Sequence, residues 1–144
     1  MIQEDTIRLL RECNAGVKMG VSSIAEIVDK TQNKQFRELL TKAQTEHEKL
    51  GNETRELLNK YHDEGKEPNP LAKGMSWLKT NVMLSMEDSD QTAADLMTDG
   101  CNMGVKSLSK YLNQYKAAEE QAKDIAKKLI KLEDNLAKDI RCYL

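Results

Sequence analysis

Four long segments of this chain place their apolar residues three and four positions apart, and no segment alternates apolar and polar residues over a useful length. That spacing puts a stripe on one face of a helix, because 3.6 residues complete a turn. The first stripe runs Thr6, Leu10, Cys13, Val17, Gly20, Ile24, Ile27, and the second Phe36, Leu40, Ala43, His47, Leu50, Thr54, Leu57, Tyr61. The third is Ala94, Met97, Cys101, Gly104, Leu108, Tyr111, Tyr115. The fourth is Ala118, Ala122, Ile125, Leu129, Leu132, Leu136, Tyr143, with Ile140 beside it. The remaining faces are charged or amidic and read as solvated. The chain is therefore expected to be all-α: one four-helix-bundle domain over residues 1–144, with helices at about 3–29, 34–62, 89–114 and 117–142.

Helix ends are marked by local chemistry. Asn33 can accept an orphan N–H before the second helix, and Asp88 or Ser89 can do so before the third. Pro68 and Pro70 interrupt any helix through 63–70. Between that break and Ser89, the residues Leu71, Met75, Leu78 and Val82, with Trp77 beside them, predict a short helix at about 72–86 inside a crossover spanning 63–88. A helix of about 28 residues is roughly 42 Å long, and such a connection can span it. The second and third helices are then expected to run parallel.

The most specific pattern is a repeat at an offset of 84 residues, matching Gly16-Val17-Lys18-Met19-Gly20-Val21-Ser22-Ser23-Ile24 to Gly100-Cys101-Asn102-Met103-Gly104-Val105-Lys106-Ser107-Leu108. Glycine inside a helix costs about 1 kcal/mol against alanine, so paired glycines imply a close approach. Counting along both helices puts the two glycine pairs at one height. Helices one and three are expected to be antiparallel and to cross at Gly16/Gly20 and Gly100/Gly104, as an internally duplicated hairpin would. Leucine at Gly20 or Gly104 is expected to overpack that crossing.

Several classes are excluded or disfavoured by composition. At 144 residues, with 39% hydrophobic residues, seven Gly and two Pro, the chain can bury a core and is neither collagen-like nor a Pro/Gly-rich coil. A net charge of −2 gives no field for nucleic acid or an anionic membrane. No apolar stretch reaches the roughly 20 residues of a membrane span. Glu4 and Asp5 stand where a signal peptide carries bases, and Cys13, Cys101 and Cys142 make an odd number with no Cys-x-x-Cys. The expected location is cytoplasmic, with reduced thiols.

The duplicated hairpin with its long crossover resembles the ferritin-like superfamily over nearly the whole chain. The stretches Gly74-Met75-Ser76-Trp77-Leu78-Lys79, Asp88-Ser89-Asp90, Cys101-Asn102-Met103-Gly104 and Tyr111 look like an uncharacterised bacterial family within it. In active members, the resemblance implies a Glu on each of two helices and a Glu-x-x-His on each of the other two. Here Glu12 and Glu26 lie off the first stripe. His47 is preceded by Gln44 rather than Glu, with Glu46 and Glu48 pointing elsewhere, and Asp95 and Asp99 lie off the third stripe. The fourth segment has no His, and Glu133 sits at its edge. The di-iron ligands are read as lost. No catalytic, cofactor-binding or metal residue is assigned, and no enzyme activity is expected.

His47 then reads as a core imidazole bonded to a neighbour, so His47→Leu is expected to be tolerated. A sharper alternative groups it with Cys101 and Cys13 around a soft metal. His62, next to the acidic linker, reads as solvated. The leading expectation for function is a non-catalytic bundle in self-association or protein–protein contact, with a homodimer through the apolar 72–86 helix or an unidentified protein partner. The alternatives are a metal-binding or iron-linked protein, and a bundle that holds a small apolar ligand in its core.

Overall fold

The structure is a computed structural model that describes residues 2–63 and 89–144. It contains four α-helices and no strand among those residues: α1 Ile2–Val28, α2 Lys34–Lys60, α3 Asp90–Gln114 and α4 Glu120–Asp139, closed by a 3-10 turn, Ile140–Tyr143. The fourth helix begins three residues later than the sequence pattern suggests, because Tyr115–Glu119 folds as a turn in which Ala118 N–H donates to the Tyr115 carbonyl. The expected short helix at 72–86, and the homodimer contact assigned to it, lie outside the described residues. Among the described residues, no helix is long and apolar enough to cross a membrane.

The expected caps form. Asn33 Oδ1 accepts from the Phe36 N–H at 3.0 Å, and Ser89 Oγ from the Thr92 N–H at 3.1 Å. Other orphan N–H groups are met by a different helix. The Asp90 carboxylate accepts from the N–H of Gln32 and of Asn33, at 2.7 and 2.9 Å, tying the α1–α2 turn to the start of α3. At the opposite end, Asp5 Oδ2 and Thr6 Oγ1 accept from the N–H groups of Ala117 and Glu119 ahead of α4. Arg11 there makes a forked ion pair with Asp63, just past α2. α2 stops in a Schellman arrangement: the N–H groups of His62 and Asp63 donate to the carbonyls of Asn59 and Leu58, both at 3.0 Å. His62 takes the left-handed φ of 54° that this ending demands.

These ties set the direction of each helix. The end of α1, the start of α2, the start of α3 and the end of α4 meet at one end of the bundle. The parallel run of α2 and α3 expected from the sequence is therefore present, and α1 is antiparallel to α3. One apolar cluster fills that end, with Ile24 and Ile27, Phe36 and Leu40, Ala94 and Met97, and Leu136 and Ile140. Phe36 and Tyr143 stack across it at 4.4 Å between ring centres. A second cluster fills the other end, with Leu9, Leu10 and Cys13, Leu57 and Leu58, Leu108, and Ile125 and Leu129. Between the two clusters lie residues of all four helices that belong to neither, among them Gly20, His47, Gly104 and Glu133.

Candidate functional site

That middle layer is a polar waist. His47 of α2 is 1% exposed and Glu133 of α4 is 7% exposed. Their side chains approach to 3.6 Å, Nε2 to Oε1, which is ion-pair range and longer than a hydrogen bond. His47 Nδ1 lies 2.7 Å from the carbonyl oxygen of Ala43, one turn back. A carbonyl only accepts, so Nδ1 carries the hydrogen and, in the neutral ring, Nε2 presents its lone pair. His47 Nε2 and Glu133 Oε2 are buried with no hydrogen-bond partner among the described residues. Buried polar atoms are rarely left so. Burial pushes the Glu133 carboxyl above its ordinary pKa of 4.5, and the imidazole beside it pulls in the opposite direction.

The repeat glycines make this layer physically admissible. A Cβ on Gly20 would stand 2.6 Å from Cδ2 and 2.8 Å from Nε2 of His47, and one on Gly104 would meet the Glu133 carboxylate. Gly20 and Gly104 are thus seats for side chains of α2 and α4. They are not contact points between the backbones of α1 and α3, which corrects the crossing expected from the sequence. The close approach between helices lies elsewhere, at Gly51 of α2, where a Cβ would come 2.8 Å from Val17 Cγ1 of α1. Gly16 has ordinary contact distances to Leu129 and Leu108, and a Cβ on Gly100 would meet nothing within 4 Å.

Instead of a crossing, α1 and α3 border a cavity of about 70 Å³. Gly16, Gly20, Gly100 and Gly104 all line it, so the repeat faces itself across this space at the height expected. Its walls are chiefly apolar, from residues such as Met19, Leu96, Met97 and Met103, and its floor holds His47 and Glu133. Its described lining residues include the carboxylates Glu12 and Glu133, and neither Lys nor Arg. Met103 stands at the solvent side, 44% exposed.

The soft-metal grouping is not assembled. Cys101 lines the cavity and belongs to the apolar cluster at the Phe36 end, whereas Cys13 sits in the other cluster. Burial pushes both thiols up to about 12, with Glu133 adding to the effect on Cys101 and Glu12 on Cys13. Among the described residues, no group of three or more His, Cys, Asp or Glu is placed to hold a metal ion.

Glu133 is the residue that sequence reading placed wrongly. Its spacing from Leu129 and Leu136 is four and three, which is on the inner face, and Ala126 and Ala137 beside that line are buried as well. Leu132, taken for the stripe, is only half-buried. No family model, no curated protein and no solved structure matches this chain.

Proposed function

We propose that this protein is a ferritin-like bundle whose role is to bind a small, largely apolar molecule between α1 and α3, with one polar group of that molecule reaching the waist. The ferritin-like assignment is supported by two antiparallel hairpins whose inner helices run parallel. The binding role is carried by one observation: an apolar cavity whose floor presents two buried polar atoms, His47 Nε2 and Glu133 Oε2, that have no hydrogen-bond partner among the described residues. Such sites take ligands by burying apolar surface, while a few polar atoms fix orientation. Gly100 serves this role by leaving open volume where any other residue would add atoms. Self-association through 72–86 would be a separate property of another part of the chain.

Titration with toluene, followed through the Met19 and Met103 methyl resonances, tests the reading. Saturable shifts are expected in the wild-type chain. Gly100→Leu, which places a side chain into the open volume beside Gly100, should abolish them while leaving the fold intact. Wild-type methyl signals that ignore toluene would refute a binding cavity here.

A further inference from the structure

The chemistry of the floor narrows what the ligand carries; this step rests on the cavity being a binding site. His47 cannot turn its N–H toward the cavity without abandoning the Ala43 carbonyl at 2.7 Å, so the neutral ring offers an acceptor, Nε2. Glu133 offers a second acceptor, Oε2, and the two side chains are within 3.6 Å of each other. Both are more than nine-tenths buried. Among the described residues, the lining holds no Lys or Arg. Convergent acceptors in an apolar hollow, one of them a carboxyl group, call for a donor that is positive.

We propose that the group recognised at the waist is a protonated amine on a small apolar body, its N–H groups donating to Glu133 Oε2 and His47 Nε2. A carboxylate ligand would place like charges together in a low dielectric. A hydroxyl brings one hydrogen and leaves one of the two acceptors unmet. An ammonium brings three donors and the compensating charge, and charge-assisted bonds of this kind are the strong ones. The apolar walls contributed by Leu96, Met97 and Leu108 select an organic body over a bare inorganic cation. The cavity, at about 70 Å³, is under half the roughly 150 Å³ that holds benzene, so it takes the ammonium and a short chain, with any ring lying toward the exposed Met103.

The test uses the full chain and five probes of one shape: toluene, benzyl alcohol, benzoate, benzylamine and benzyltrimethylammonium. Binding is read from the Met19 and Met103 methyl shifts near pH 7. Benzylamine is expected to bind tighter than toluene by about ten-fold or more, with benzoate weakest. Benzyltrimethylammonium, which has the charge but no N–H, should show no advantage over toluene. Glu133→Gln should erase the benzylamine advantage over toluene. Toluene or benzyl alcohol equal to benzylamine, benzoate tightest, or the quaternary probe matching benzylamine would each overturn the amine assignment while the cavity stands. Silence from all five probes would overturn the cavity reading and this one together. Because trimethylammonium is bulkier than ammonium, benzyl alcohol, matched in size to benzylamine, decides the matter even if Glu133→Gln fails to fold.

Discussion

Gly20 on α1 and His47 on α2 meet as seat and occupant: the imidazole lies where the glycine's side chain would begin, 2.6 Å from the position of a Cβ. The ring is also held from behind by the Ala43 carbonyl. It cannot retreat without losing that bond.

Alanine substitutions in the repeat should therefore separate by sign. Gly20→Ala is expected to destabilise the fold by about 1–3 kcal/mol, since the held ring must move. Gly100→Ala meets nothing and gains helix propensity, so it should stabilise by roughly 0.5–1 kcal/mol. Gly104→Ala should fall between them, because the end of the Glu133 side chain can swing aside. Urea denaturation of the three variants measures this. Equal effects at Gly20 and Gly100 would show that the ring has no fixed seat.

Replacing one member of the buried pair is a different matter from replacing both. His47→Leu strands the Glu133 carboxyl in the core, and a loss of about 2 kcal/mol is expected. The tolerance expected from sequence alone is thus revised. His47→Leu with Glu133→Leu removes both polar groups and should return to within about 1 kcal/mol of the wild type, or exceed it. A double-mutant cycle by chemical denaturation reads the coupling directly. Additive losses would mean that the two groups do not interact.

The Glu133 carboxyl also predicts a pH effect of definite sign. Its folded-state pKa is raised above 4.5, so the folded chain binds the proton more tightly than the unfolded chain. Stability from this group is present at acid pH and declines as pH rises from about 4.5 through the folded value, then levels off. The groups facing it are His47 on α2 and Cys101 on α3. The stability of Glu133→Gln minus that of the wild type should grow across this window. A flat difference would place the carboxyl in water.

Thiol labelling should single out one cysteine of the three. Cys142 is exposed, whereas Cys13 and Cys101 are buried with thiols pushed up to about 12, leaving little thiolate at neutral pH. At pH 8, a thiol reagent is expected to modify one equivalent promptly and the other two only at the rate of opening. Rapid labelling of Cys101 would indicate that the cavity beside it opens widely.

At the end of α2, His62 holds a φ of 54°, a conformation costly for a side chain with a Cβ. Asparagine tolerates this region better. His62→Asn is expected to raise stability by roughly 0.5 kcal/mol without altering the ligand site, as thermal unfolding would show.

The helices were legible because each is amphipathic along its whole length, and the caps at Asn33 and Ser89 use the residue types that such positions favour. The parallel order of α2 and α3 was legible from the length of the connection. The waist was half legible. His47 stood on its stripe, but the glycine pairs read as a backbone crossing, whereas Gly20 and Gly104 seat the side chains of His47 and Glu133. The missing term was Glu133: a carboxylate at an inward position contradicts the usual sorting of charge to the surface. A spacing of four and then three fits Glu133 between Leu129 and Leu136, but the stripe was drawn through Leu132 with Glu133 at its edge. Only the neighbouring imidazole and the missing Cβ of Gly104, both remote in sequence, make its burial tolerable.

The interruption of the oily interior at mid-height also governs how the protein absorbs damage. The Phe36–Tyr143 end and the Leu9–Leu10 end share few touching side chains, so a flaw in one is not relayed by packing to the other. Each end is packed within its own four-helix cluster, and the narrow belt of Gly20, His47, Gly104 and Glu133 separates the two.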